Sequence, residues 1–105
     1  MVALLALALL VACNNKEKIV KPEVLLSEQQ MIDVLTDAYL IESVLNHKKS
    51  VGEDVAPLQK AYYDQLFEHY GITDTIFEMN MNYYSHELAT LERIMDSVTL
   101  RFSRL

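Results

Sequence analysis

"SEQQMIDVLTDAYLIESVLNHK", residues 27–48, carries the signal from which the fold is read. Ser27 followed three residues later by Gln30 has capping-box spacing: the serine hydroxyl takes an early backbone N–H and the glutamine side chain reaches back to the Ser27 amide. Behind it, Met31, Val34, Leu35, Ala38, Ile41 and Leu45 recur in steps of three and four, the period that gathers side chains on one face of an α-helix. The spacing predicts a helix from this cap to about His47, ended by Lys-Lys-Ser-Val-Gly. On a helical wheel the centre of the apolar arc runs through Met31, Leu35, Ala38, Glu42 and Leu45, so Glu42 points into the core and Asp33 faces away. An inward carboxylate must find donors or become neutral. The candidate donors are the six tyrosines, particularly Tyr62 and Tyr70, or a cation such as Arg93 or Arg101. The plain reading is a hydrogen bond that fixes helix register; the sharper one is a polar contact in a binding pocket.

Downstream, the second helix is expected to start near Val55, to tolerate Pro57 in its first turn, and to end at Tyr70 with Gly71 as a left-handed cap. Tyr62, Leu66 and Tyr70 fall on one face. Thr73 or Asp74 then caps a third helix carrying Ile76, Phe77, Met81 and Tyr84, and Ser85 is read as a break and new cap. The fourth stripe is Leu88, Leu91, Ile94, Met95, Val98, Phe102 and Leu105. No segment alternates apolar and polar residues, and no Asn-Gly or Asp-Gly hairpin signal is present. The fold class is therefore all-α: a small bundle of three to four helices whose sequential neighbours run roughly antiparallel. A core of this size supplies only a few kcal/mol, so self-association or a partner is an expected source of further stability.

Upstream, residues 1–12 (MVALLALALLVA) are apolar throughout. Twelve helical residues span only ~18 Å against a hydrocarbon core of ~30 Å, so the run reads as a cleaved signal peptide and not as a membrane span. It ends on Leu10, Val11, Ala12 and Cys13, which resemble the lipobox of bacterial lipoproteins. In that chemistry the thiol takes a diacylglyceryl group, a peptidase cuts before the cysteine, and the freed amine is acylated. No basic residue precedes the apolar run, which a start codon placed further upstream would explain. Cys13 is the only cysteine, so no internal disulfide forms. Each buried CH₂ contributes ~0.8 kcal/mol, so two or three acyl chains hold stably. The expected organisation is a signal peptide over 1–12, a lipidated cysteine and tether over 13–26, and a helical domain over 27–105.

"MIDVLTDAYLIES" (31–43), "YYDQLFEHYGIT" (62–73) and "YYSHELATLERIMDSV" (83–98) together resemble the domain of unknown function 4296 family of small Bacteroidota lipoproteins. The resemblance covers nearly all of the chain after the cysteine. It implies an all-helical fold, lipoprotein architecture and an outer-membrane address. The family's Thr-Asp pair, its aromatic or His position and its Glu fall on Thr36, Asp37, Tyr39 and Glu42; Tyr39 stands where members often carry His. The family has no established activity to lend. Asn14, beside the cysteine, is not the Asp that resembles an inner-membrane retention signal, which also favours the outer membrane.

The remaining patterns exclude more than they assign. "HELAT" at 86–90 begins like a zinc-binding H-E-x-x-H helix, but Thr90 occupies the second ligand position. His47, His69 and His86 are scattered, and Asp33 with Asp37 or Asp64 with Glu68 read as solvated acidic faces. Two glycines cannot build a phosphate cradle. A net charge of −6 and a pI near 4.9 disfavour nucleic acid. Tyr62, Tyr63, Tyr70, Tyr83 and Tyr84 with Phe67 and Phe77 crowd the middle of the domain, either as core edge or, if exposed on one side, as a protein or glycan groove.

The sequence thus predicts a non-enzymatic accessory lipoprotein, held on the periplasmic side or at the cell surface by lipid on Cys13. Its helical domain is expected to bind another envelope protein or a ligand, without cofactor, metal or nucleic acid. Asp37, Tyr39, Glu42, Tyr62 and Tyr70 are the candidate binding or buried polar residues. The alternatives are a small hydrolase or metal-dependent site around Glu42 and Asp37, and a purely structural self-associating module.

Overall fold

The computed structural model describes residues 19–105; residues 1–12, Cys13 and the first part of the tether lie outside them. The described residues form four helices and no strand: α1 (Glu28–Ser50), α2 (Ala56–Tyr70), α3 (Asp74–Ser85) and α4 (Leu88–Phe102). No helix among them is long and apolar enough to cross a membrane.

Local chemistry sets most of the boundaries. Ser27 is the α1 N-cap, its hydroxyl accepting from the Gln30 amide at 3.1 Å while the Gln30 side chain accepts from the Ser27 amide at 2.8 Å. α1 runs three residues past the expected end at His47. His47, Lys48 and Lys49 in its last turn complement the negative end of the helix dipole, and Gly52, at φ 89°, supplies the turn that follows. Pro57 sits in the first turn of α2, and Gly71 ends that helix in the left-handed conformation at φ 66°. Thr73 caps α3, its hydroxyl accepting from the Ile76 amide at 3.1 Å. Ser85 does not open the fourth helix as expected. It closes α3, donating back to the Asn82 carbonyl at 2.6 Å, and α4 starts after Glu87 without a side-chain cap.

α1 is the central helix, packed by α4 on one flank and α2 on another, with α3 lying against α4. Its apolar residues accordingly divide. Met31, Ile32 and Leu35 join Tyr84, Ile94 and Val98 in one cluster, while Val34 and Ala38 join Leu66 in a second. Ile72 and Phe77 touch both. Met31, Ile94, Val34 and Val98 are fully enclosed. Burying side chains of this kind contributes about 1.5–3 kcal/mol each. The expected α4 stripe holds in its middle and fails at its ends: Leu88 and Leu105 are exposed by 73% and 74%, because both lie at the margins of the helix, clear of the packed clusters. Ile41, also expected inside, is half-buried.

The largest departure concerns residues 22–26, expected to be tether. Pro22 and Leu26 are buried, and Leu26 is part of the first core cluster. Asn80, at 0% exposure, accepts from the Leu26 amide and donates to the Val24 carbonyl, both at 2.8 Å. The Tyr84 hydroxyl donates to the Leu26 carbonyl. A non-helical segment that makes no internal backbone hydrogen bonds must, once buried, be paired from outside; Asn80 and Tyr84, one helical turn apart on α3, do this. The packed domain therefore begins near residue 22, not 27.

Candidate functional site

Besides the solvent-facing Glu28–Arg93 ion pair at 2.7 Å, α1 carries three acids whose partners come from other helices. Glu42 Oε1 accepts from the Tyr63 hydroxyl at 2.5 Å. Asp37 Oδ2 accepts from the Tyr70 hydroxyl, which also lies 3.3 Å from the Asp33 carbonyl oxygen. Asp33 Oδ1 accepts from Arg101 of α4. These side chains occupy the seams at the margins of α1, where its two neighbours meet solvent, and each is half-buried.

The expectation for Glu42 holds in kind but not in detail. It is half-buried, and its donor is one of the six tyrosines, but Tyr63 and not the favoured Tyr62 or Tyr70, nor an arginine. The difference traces to the face of α2: Tyr63, Phe67 and Tyr70 pack with Leu66 against α1, whereas Tyr62, four residues before Leu66, lies on its other flank beside Leu40, Ile41 and Val44. Asp33, expected to face away, turns to Arg101. Tyr39 is 41% exposed and on the outer surface. The candidates thus separate: Asp37 with Tyr70 and Glu42 with Tyr63 form two pairs, Tyr62 lines a groove, and Tyr39 joins none of them. Cys13 lies outside the described residues.

Desolvation, reinforced by hydrogen bonding and by the charge of the acid beside each, pushes the Tyr63 and Tyr70 hydroxyls well above the ordinary tyrosine value of 10.0. Both therefore hold their protons at neutral pH and act as donors. Chemically the pairs are staples: each carboxylate has a donor in place, and each phenol has its proton committed. Among the described residues no three His, Cys, Asp or Glu come together to hold a metal. The "HELAT" string is split, since His86 caps the end of α3, its Nδ1 lying 2.8 Å from the Asn82 carbonyl, while α4 begins only at Leu88.

Beside the staples runs a shallow apolar groove of about 260 Å³ between α1 and α2, lined by Leu40, Ile41, Val44 and Tyr62. Leu40 and Val44 are 44% and 38% exposed. Residues missed by the sequence reading are Asn80 and Tyr84 as a donor to the backbone of residue 26. A signal for the first was available: Asn80 sits between Ile76 and Tyr84 on the apolar face of α3, where a carboxamide needs buried partners.

The sequence pattern of the family described as Domain of unknown function (DUF4296) matches residues 22–105. The chain belongs to that family. The match starts at Pro22, the first buried residue of the packed segment, so DUF4296 as a unit takes in the segment held by Asn80 and Tyr84 as well as the four helices. Comparisons with curated proteins and with solved structures give no match.

Proposed function

We propose that this DUF4296 chain is a lipoprotein anchored in the outer membrane through lipid on Cys13, and that its helical domain is a binding or accessory module for another envelope protein. The observation that carries the reading is the unbroken apolar run ending in Leu10-Val11-Ala12-Cys13, followed by the polar Asn-Asn-Lys-Glu-Lys and then by a packed domain. That order suits a processing signal, a spacer and a cargo domain. The apolar groove beside Tyr62 supports a protein-binding role, because exposed aliphatic and tyrosine side chains in one place are the usual material of a contact surface. The occupied carboxylates of α1 argue for structure over catalysis at Glu42 and Asp37.

The test is metabolic labelling with a fatty acid in the native host. The wild-type chain should take the label, partition into detergent and accumulate as a longer, unprocessed form when lipoprotein signal peptidase is inhibited. Cys13→Ser should lose the label and the lipid-dependent partitioning and stay in the longer form with or without the inhibitor. Label retained by Cys13→Ser, or a wild-type chain that stays in the aqueous phase, contradicts the reading.

A further inference from the structure

The segment held by Asn80 and Tyr84 is two-faced. Pro22 and Leu26 point into the domain, while Val24 and Leu25 point out, 50% and 37% exposed, and Ile19 and Val20 before them are 47% and 67% exposed. Four aliphatic side chains are thus presented to the outside by a stretch whose attachment to the bundle is buried. The chain bends at Glu23 and Val24, and the bonds from the Asn80 amide and the Tyr84 hydroxyl to the backbone of Val24 and Leu26 hold that bend, and with it the outward residues, in place.

We propose that this outward face of residues 19–25 is the surface the domain lays on the lipid bilayer. The inference rests on the lipid anchor proposed above and adds where the domain sits relative to it. Two observations choose the bilayer as occupant. The first is chain length: Pro22 is nine residues from Cys13, a distance of at most about 30 Å fully extended, so acyl chains on Cys13 keep the patch within reach of the headgroups. The second is charge. In the sequence that leads into and through the patch, residues 16–23, three lysines (Lys16, Lys18 and Lys21) outnumber two glutamates (Glu17 and Glu23), whereas the chain as a whole carries −6. Lysines next to aliphatic residues in the sequence suit a surface of anionic headgroups over hydrocarbon, and the acidic bundle is repelled from the same surface. The domain then rests on the segment and turns its other faces, including the Leu40, Val44 and Tyr62 groove, to the surroundings.

The chain contains no tryptophan, so a single introduced Trp is a unique reporter. The full lipidated protein is reconstituted in vesicles of phosphatidylethanolamine and phosphatidylglycerol with brominated acyl chains, with Val24→Trp or, as comparison, Val44→Trp. Both sites are partly exposed, so the fold is expected to persist in each, and circular dichroism checks it. The expected result is a blue-shifted Val24→Trp emission quenched about twofold or more, a Val44→Trp emission unchanged, and loss of the Val24→Trp quenching when Ile19, Val20 and Leu25 are changed to Ser. Quenching at Val44→Trp equal to or greater than that at Val24→Trp, or none at Val24→Trp in protein that floats with the vesicles, overturns the proposal while leaving the anchor standing. Wild-type protein that does not float with the vesicles overturns the anchor and this inference together.

Discussion

On the α3 side of the molecule Asn80 and Tyr84, 0% and 5% exposed, spend their hydrogen bonds on the backbone of residues 24–26; on the α2 side Glu42–Tyr63 and Asp37–Tyr70 join side chain to side chain at the solvent edge. Both arrangements tie distant parts of the chain together, yet the physics of losing them differs. A buried amide deprived of its partner meets no water and bears the full desolvation cost, whereas a half-exposed carboxylate or phenol exchanges its partner for solvent. The first kind specifies the fold, and the second tunes it.

The largest expected effect is therefore at Asn80. Asn80→Leu keeps the volume roughly constant but leaves the Leu26 amide and the Val24 carbonyl without their partner, and should cost about 3 kcal/mol, which for a domain of this size is a melting-temperature drop of roughly 12 °C or more in thermal unfolding. Next comes Tyr84→Phe, which keeps the ring in the core and removes only the donor to the Leu26 carbonyl; about 1–2 kcal/mol should be lost by chemical denaturation. If Tyr63→Phe proves as costly as Tyr84→Phe, the contrast between the two sides is broken.

Glu42 sharpens it. Glu42→Leu should stay folded within about 1 kcal/mol of wild type, since Tyr63 can turn its hydroxyl to water, whereas Glu42→Lys sets an ammonium against the same seam and should melt lower. Equal melting temperatures for the two variants would remove Glu42 from the packed interface.

The smallest effect is a pH dependence. The folded-state values of Tyr63 and Tyr70 lie above their ordinary 10.0, so the unfolded chain loses these protons first. Their contribution is complete below about pH 10 and declines as pH rises beyond it toward the folded values. A Tyr63→Phe, Tyr70→Phe double variant should show a shallower loss of stability above about pH 10 than wild type; an unchanged alkaline slope would count against phenols held protonated by their acids.

The same contrast explains what could be read in the sequence. The start of α1, the end of α2 and the start of α3 were legible because Ser27 with Gln30, Gly71 and Thr73 act within a turn of their own position. Periodicity found the centre of the core at Met31, Val34, Leu35, Ile94 and Val98, and it overreached at Leu88 and Leu105, where nothing in a periodic pattern marks the limit of a neighbouring helix. An inward Glu42 was legible from the wheel, but its partner was not, because choosing Tyr63 over Tyr62 depends on the rotation of α2 against α1. Residues 22–26 look like tether by composition alone. Their place in the fold is decided by Asn80 and Tyr84, 54 and 58 residues distant from Leu26, and no local rule reaches that far.

The claim on which the rest depends is that residues 22–26 belong to the folded domain and present a fixed outer face. Amide hydrogen exchange at Leu26 in the full chain tests it most directly. The account predicts that this amide, outside any helix, exchanges about as slowly as the amides of buried Val98 and Ile94 in α4, and that Asn80→Leu accelerates it. Exchange at the rate of an unstructured chain in the wild-type protein would contradict the account.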